Sequence, residues 1–375
     1  MISFIFFISA LVVSIALIFV RPASVSWLIA SDPPSIPAPE RDSAPIYIAT
    51  NLPTTEPSNH ASSVLALPDG TRMAVWFAGS REGASDVRLM LSINHGGTWG
   101  MPQAIQSVAT NAKAFGHYTK KIGNPVLFAA DDSKIHLLFV TVALGGWGGS
   151  RIAHSFSVDK GKSWSAPELW VTSPFINIST QLRHPPLTVK LGDGSKGWML
   201  PAHHEFMNKF PEYLLLDEAG NFLHKQRMPL GNGLIQPAIV AQGESNLLAF
   251  FRPTNNQQQI LAASYRNGWD MSLQATNLAN PDAGIAVAKL PGQQLLMAYN
   301  PSTENRNRLA LAMSEDGSAW RTVAELENGK DSEYSYPSMA VRGDQIDLTY
   351  SYQRQFIKHV RFNMAWLDQQ LLAAK

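Results

Sequence analysis

The chain contains no cysteine, which excludes disulfide frameworks, thiolate nucleophiles and Cys-ligated zinc or iron–sulfur centres at once. Charge is scarce and unbiased: 16% of the 375 residues are charged, with 30 Lys plus Arg against 29 Asp plus Glu. No long block of one sign appears, so neither a nucleic-acid footprint nor a polybasic membrane patch is present, and no nucleic-acid partner is expected. Helical periodicity is almost missing beyond about residue 58. The glycines at 145, 146, 148 and 149 around Trp147 are followed by neither a helix nor a Lys. They read as a mobile loop carrying Trp147, not as a phosphate loop. No cofactor is called for.

What is present is apolar: 45% of the residues are hydrophobic, enough to bury a large core. Residues 2 to 20 are apolar apart from Ser3, Ser9 and Ser14, and about 20 such residues match the thickness of a bilayer core. Residues 1–21 are therefore read as a transmembrane or signal helix, left in place as an anchor or cleaved, with the rest of the chain outside the cytoplasm, periplasmic, extracellular or secreted. The following stretch, 22–57, is dense in Pro, with Pro33, Pro34, Pro37, Pro39, Pro45, Pro53 and Pro57. It reads as an extended spacer. Residues 58–375 form the expected folded domain.

In that domain one pattern recurs: a polar residue, usually a Pro or small residue, an apolar strand, a tight polar turn, and a second apolar strand. The copies start at His60-Ala61, Asn124-Pro125, His184-Pro185, Gln236-Pro237, Asn280-Pro281 and Tyr336-Pro337. Their turns fall at Asp69-Gly70, Asp131-Asp132, Asp193-Gly194, near Gly243, at Pro291-Gly292 and at Gly343-Asp344. The starts lie roughly 45 to 64 residues apart, the length of a four-stranded propeller blade. The expectation is an all-β fold, a six-bladed β-propeller of four-stranded antiparallel blades.

In a propeller the innermost strands run side by side along the axis, so their first residues share one end of the channel. That ring would be His60, Asn124, His184, Gln236, Asn280 and Tyr336. The ends of the second strands return to the same place and carry Arg81 and Glu82, Trp147, His203 to Glu205, Arg252, Asn300 and Arg354. Arg forks, amides and aromatic faces together suit a polyhydroxylated, anionic ligand. His203 and Glu205, two apart on a strand, face the same way. A role in hydrogen bonding to sugar or in acid–base chemistry is preferred to metal binding.

A second periodic feature is the run S-x-D-x-G-x-x-W at Ser157, Asp159, Gly161 and Trp164. A near copy occupies Ser92, Asn94, Gly96 and Trp99, a shortened one Ser314, Asp316, Gly317 and Trp320, and a degenerate one Ser264, Gly268 and Trp269. Such a run is a turn and packing device: Asp caps amides, Gly takes positive φ and Trp packs between sheets.

On these boxes the chain from about 58 to 366 resembles the sialidase-like, Asp-box or BNR-repeat propellers. The resemblance implies a glycan-directed site in which three Arg hold a sugar carboxylate, a Tyr activated by a Glu is nucleophile, and an Asp in an early loop is acid and base. By position, Arg252 and Arg306 look like two of the clamp residues and Tyr336 like the nucleophile, with Tyr334 a rival on the same strand. Where the family places an Arg before a Pro, this chain has His60 before Ala61, so Arg183 or Arg354 would have to complete the clamp. Where it places the activating Glu, this chain has Gln236, which cannot accept a proton. Glu333 or Glu205 is then the substitute. The early loop offers Glu82 and Asp86 as acid. The expected activity is an exo-acting glycoside hydrolase on an acidic or complex glycan. The alternatives are a non-catalytic glycan-binding propeller of envelope polysaccharide metabolism and a polysaccharide lyase using Tyr336 and His203 as proton carriers.

Overall fold

A computed structural model describes residues 27–29, 44–129, 134–173, 176–243, 246–266 and 273–373. The expected anchor or signal segment, 1–21, lies outside these residues. Among the described residues no helix is long and apolar enough to cross a membrane.

Six antiparallel sheets follow one another around an axis. Blade 1 runs from the inner strand Ser58–Ala66 through Arg72–Gly79 and Arg88–His95 to the short outer strands Thr98–Trp99 and Gln103–Ser107. Blade 2 is Lys121–Ala129, Ile135–Val142, Ser150–Ser157 and Glu168–Leu169. Blade 3 has a broken inner strand, Gln181–Leu182 and Leu187–Leu191, followed by Lys196–His204, Phe210–Asp217 and Phe222–Arg227. Blade 4 is Leu234–Ala241, Asn246–Pro253, Gln259–Arg266 and Leu273–Ala279, and blade 5 is Ala286–Lys289, Leu295–Tyr299, Arg308–Ser314 and Arg321–Asn328. Blade 6 takes its three inner strands, Tyr334–Arg342, Gln345–Tyr352 and Phe356–Asn363, from the far end of the chain and its outer strand, Tyr47–Asn51, from the near end.

That last pairing corrects the expected spacer. Residues 47–51 are a strand of the propeller, because Phe356–Asn363 would otherwise leave an open ladder of N–H and C=O groups at the sheet edge. A three-residue strand, Trp27–Ile29, also within the expected spacer, pairs with Val189–Leu191 of blade 3. Among the described residues two α-helices interrupt the all-β pattern: Val108–Phe115, capped by the Ser107 side chain, and Met364–Ala373 after the last strand.

The second strands read as continuous apolar runs because both faces of each blade are covered. In blade 1, Met73, Val75 and Phe77 pack with Leu127, Leu137 and Phe139 of blade 2. The alternating residues Ala74, Trp76 and Ala78 face the other way, with Leu52 and Ile357, at the junction with blade 6. The same division recurs in blade 4, where Ala249 and Phe251 join blade 3 while Leu248 and Phe250 join blade 5. Six apolar clusters thus fill the junctions between neighbouring blades.

The three fully described Asp boxes sit on the hairpins after the third strands of blades 1, 2 and 5. Asp159 accepts from the Ser163 backbone N–H at 2.9 Å and from the Ser157 hydroxyl at 2.8 Å, while Trp164 donates to the Gly161 carbonyl at 3.2 Å. In blade 5 Asp316 accepts from the Ser318 N–H at 2.9 Å and Trp320 donates to the Gly317 carbonyl at 3.0 Å. Gly268 and Trp269 of the degenerate copy lie outside the described residues.

Candidate active site

Four inner strands carry a bulge at the same level: the pairing slips between His60 and Ser63, Gly123 and Val126, Ile235 and Ala238, and Ser335 and Ser338. At each slip one residue is left-handed: Ala61 at φ 52°, Asn124 at 46°, Gln236 at 50° and Tyr336 at 54°. Non-glycine residues rarely adopt this region, and such strain gathers where side chains must be aimed. Here the extra residue of the bulge turns a side chain towards the axis.

The bulge settles several of the expected positions. In blade 1 the ring position is Ala61, so no polar side chain is offered there. His60, one residue earlier, is 1% exposed and wedged edge-on behind Tyr336, ring centroids 4.6 Å apart. Burial and the charges of Arg354, Arg183, Arg306 and Arg252 push its pKa well below the usual value, so it is a neutral packing residue, not a ligand for substrate. Strand parity, which would place Tyr334 and Tyr336 on one face, is broken by the same slip. Tyr334 lies in the core between blades 5 and 6, stacked edge-on against Tyr352.

In blade 5 the residue before Pro is again not the one that points inward. Asn280 is fully buried, its side chain bonded to the N–H and C=O of Ala283 at 2.8 and 3.0 Å, so it shapes the chain and is not available to substrate. The left-handed residue is Asp282, φ 55°, two positions later. Sequence reasoning missed it by anchoring on the residue before Pro281. Asn300 is likewise internal, donating to the Arg308 and Tyr334 carbonyls.

Arg183 is also removed from the substrate-binding set. It is 2% exposed and its guanidinium donates to the Ser62, Tyr336 and Pro337 carbonyls at 2.9, 2.6 and 2.9 Å. Burial lowers its pKa to about 10. It holds the strained backbone of Tyr336 from below.

Around Tyr336 three other guanidinium groups converge. Arg252 donates to the phenol oxygen at 3.2 Å, to the Gln236 amide oxygen at 3.3 Å and to the Asp282 carboxylate at 2.7 Å. Arg306 lies 5.7 Å from the Tyr336 ring centroid, donates to the Asp282 carbonyl at 2.6 Å and is paired with Glu333 at 3.6 Å. Arg354 bridges Glu333 at 2.9 Å and Glu82 at 2.6 Å. Burial opposes the charge of Arg354, but its two carboxylate partners outweigh this and raise its pKa. Glu333 is held down in the same way, burial being outweighed by the bonds from Arg354 and Ser335. Arg306, Glu333 and Arg354 line a cleft of about 310 Å3 with Pro281, Glu304 and Ser332.

Blades 2 and 3 form the opposite wall. Lys121 lies over the Trp147 ring at 3.7 Å, and Trp147 covers Gly123, where a Cβ would stand 2.9 Å from its ring. Asn124, 8% exposed, is beside Gln181 at 3.5 Å. His203 is fully buried and shares a 3.0 Å hydrogen bond with Glu205, whose backbone N–H is held by Ser179 at 2.7 Å. Burial pushes His203 down and keeps it neutral. Burial raises Glu205, but the hydrogen bond with His203 and the charges of Lys209 and Arg252 bring the net pKa below the usual value. On the early loop Asp86 is occupied by the Ser80 N–H and hydroxyl, both at 3.0 Å, which depress its pKa. Asp86 therefore closes the loop on which Arg81 is exposed, and it is a poor proton donor. Among the described residues no group of three or more His, Asp or Glu is arranged to hold a metal.

The profile of the family described as a BNR repeat-like domain matches residues 70–348. The chain belongs to that family. This BNR repeat-like chain is similar in structure to the Hadza microbial sialidase Hz136, with TM-score 0.67 and 14% identity over 82% of this chain and 66% of that one. It is similar to Trypanosoma rangeli sialidase, with TM-score 0.65 and 14% identity over 88% of this chain and 62% of that one. It is also similar to a protein of unknown function from Dyadobacter fermentans, with TM-score 0.63 and 15% identity over 84% of this chain and 97% of that one. At these identities the likeness is one of fold. The BNR repeat-like chain spans less than two thirds of the length of the Trypanosoma sialidase and 66% of the Hadza one. No curated protein matches it.

Proposed function

We propose that the protein is an exo-acting glycoside hydrolase of sialidase-like type, working on a glycan end outside the cytoplasm. One observation carries this reading: Tyr336 presents its phenol to the mouth beside Arg252, with Arg306 and Arg183 also near its ring. That is the setting for a nucleophile, or for a group that stabilises the positive charge of an oxocarbenium-like transition state. Blade 3 stands opposite blade 6 in a ring of six, so Glu205 faces Tyr336 across the mouth. It is bonded to a neutral partner, His203, instead of an Arg, which makes it the best placed proton acceptor. Residues 1–21, as an anchor or signal, would put the mouth on the outer side of a membrane.

A second reading is favoured by Gln236. Its amide oxygen accepts from Arg252 next to the phenol, where a base would be needed, and it cannot take a proton. On that reading the mouth binds a glycan end without cleaving it. Incubating the full chain with aryl glycosides and polysaccharides separates the two. Release of aryl alcohol that is lost in Tyr336→Phe supports hydrolysis, retention without turnover supports binding, and an unsaturated product supports a lyase. Turnover that survives intact in Tyr336→Phe removes the assignment of Tyr336.

A further inference from the structure

We infer that the sugar accepted at this mouth is electrically neutral, recognised through vicinal hydroxyls and not through a carboxylate. The inference rests on the glycan reading above and sharpens its substrate class. Each guanidinium that opens on the mouth beside Tyr336 already has a carboxylate, whereas Arg183, nearest the ring, is buried beneath it and bonded only to backbone carbonyls. Arg252 is matched by Asp282, Arg306 by Glu333, and Arg354 by Glu333 and Glu82, so three guanidinium groups face three carboxylates. On the opposite wall Lys121 feels both Glu82 and Glu205. The cations that open on the mouth are thus each engaged by a carboxylate before an acid could arrive.

The two positions that would restore a surplus do not supply one. The blade 1 bulge carries Ala61. Arg183 is turned away, its three bonds spent on backbone carbonyls. An incoming carboxylate would have to displace a carboxylate that is already bonded, and would then stand beside the one it displaced. A hydroxyl meets the opposite situation. It donates to a carboxylate oxygen while accepting from a guanidinium N–H, and adjacent Arg and Glu or Asp groups present both at the spacing of neighbouring hydroxyls. Gln236 adds a neutral amide of the same double capacity, and the faces of Tyr336 and Trp147 suit the C–H side of a sugar ring.

The test uses the full chain on an array carrying glycans that end in neutral hexoses, 6-deoxyhexoses or N-acetylhexosamines beside glycans that end in sialic or uronic acids. It is read at about 50 mM and about 500 mM NaCl, because only a charged ligand is strongly screened. Retention on neutral ends, roughly tenfold or more above acidic ends and changed less than about twofold by salt, is the expected result. Preference for acidic ends that collapses in high salt overturns the inference and leaves the glycan reading standing. Retention on no glycan overturns both. The double variant Glu82→Gln with Glu333→Gln, shown to be folded by an unchanged circular dichroism spectrum, should gain binding to acidic ends by about tenfold, since Arg354 loses both partners. Unchanged acidic binding in that folded variant counts against charge balance as the cause.

Discussion

Tyr336 sits at φ 54° with its carbonyl gripped by Arg183, a conformation that costs on the order of 1–3 kcal/mol and persists only when its surroundings impose it. Replacing Tyr336 by Phe leaves that backbone in place, so glycan binding should hold within about threefold while turnover falls by about a hundredfold or more, read by initial rates against retention. Arg183→Met removes the grip: three buried carbonyls lose a charged donor, and a loss of about 3 kcal/mol or more in unfolding free energy by denaturant titration is expected. The buried histidines set a pH response. Burial pushes His154 to about 4 and His184 to about 3, from the usual 6.5. Between those values and 6.5 the unfolded chain binds protons that the folded chain refuses. Stability is therefore fully present above about pH 6.5 and falls below it, by up to about 1.4 kcal/mol per pH unit for each histidine. The denaturant midpoint should drop between about pH 6.5 and 4.5, with a shallower slope in His154→Phe. At this scale the sequence was legible wherever a residue keeps its place in the strand repeat, as Arg252, Gln236 and Tyr336 do. It was not legible where backbone conformation decides the direction of a side chain. His60, Arg183 and Asn280 share the residue types of a ligand shell and are packing or backbone-holding groups, whereas Asp282 was hidden behind its proline.

The Asp-box hairpins and the inner-strand bulges are the two elements from which each blade is assembled. The boxes follow third strands that run away from the mouth, so they act on stability alone. Gly161 has φ +84° and a Cβ there would stand 2.4 Å from the Met73 methyl. Gly161→Ala should cost about 1–3 kcal/mol, seen as a lower melting temperature, with turnover per folded molecule unchanged. The boxes were readable in sequence because a turn needs particular residues at fixed offsets. A bulge has no such signature: the Pro after Asn124, Gln236 and Tyr336 hints at it, but blade 1 bulges at Ala61-Ser62 without one. The helices Val108–Phe115 and Met364–Ala373 escaped for a related reason, the first being short and fixed by the capping bonds of Ser107, the second burying only Met364 and Leu367 and half-burying Trp366 and Leu371 against the last blade.

Closure of the ring joins chain ends that the repeat pattern alone does not connect. The outer strand Tyr47–Asn51 pairs along Phe356–Asn363. Blades 1 and 6 are further tied by Arg72 to Asp347 at 2.7 Å and Trp99 to His359 at 3.1 Å, with His359 and Asp347 joined within blade 6 at 2.8 Å. Asp347 is 1% exposed, so Asp347→Asn leaves Arg72 without its buried partner. A loss of about 3 kcal/mol is expected, measured by chemical denaturation. Six blades were countable from six starts, whereas the closing strand was obscured by the prolines around it and read as spacer. Closure is what brings Glu82 of blade 1, Glu205 of blade 3, Arg252 of blade 4, Arg306 of blade 5 and Tyr336 of blade 6 to one mouth. The most direct test of that arrangement is the position of a saccharide in a crystal structure of its complex with the full chain. The sugar ring should lie against Tyr336, with hydroxyls on Arg252 and on the Arg354–Glu333 pair. A saccharide seated on the outer strands or at the Asp-box end, with Tyr336 untouched, would contradict it.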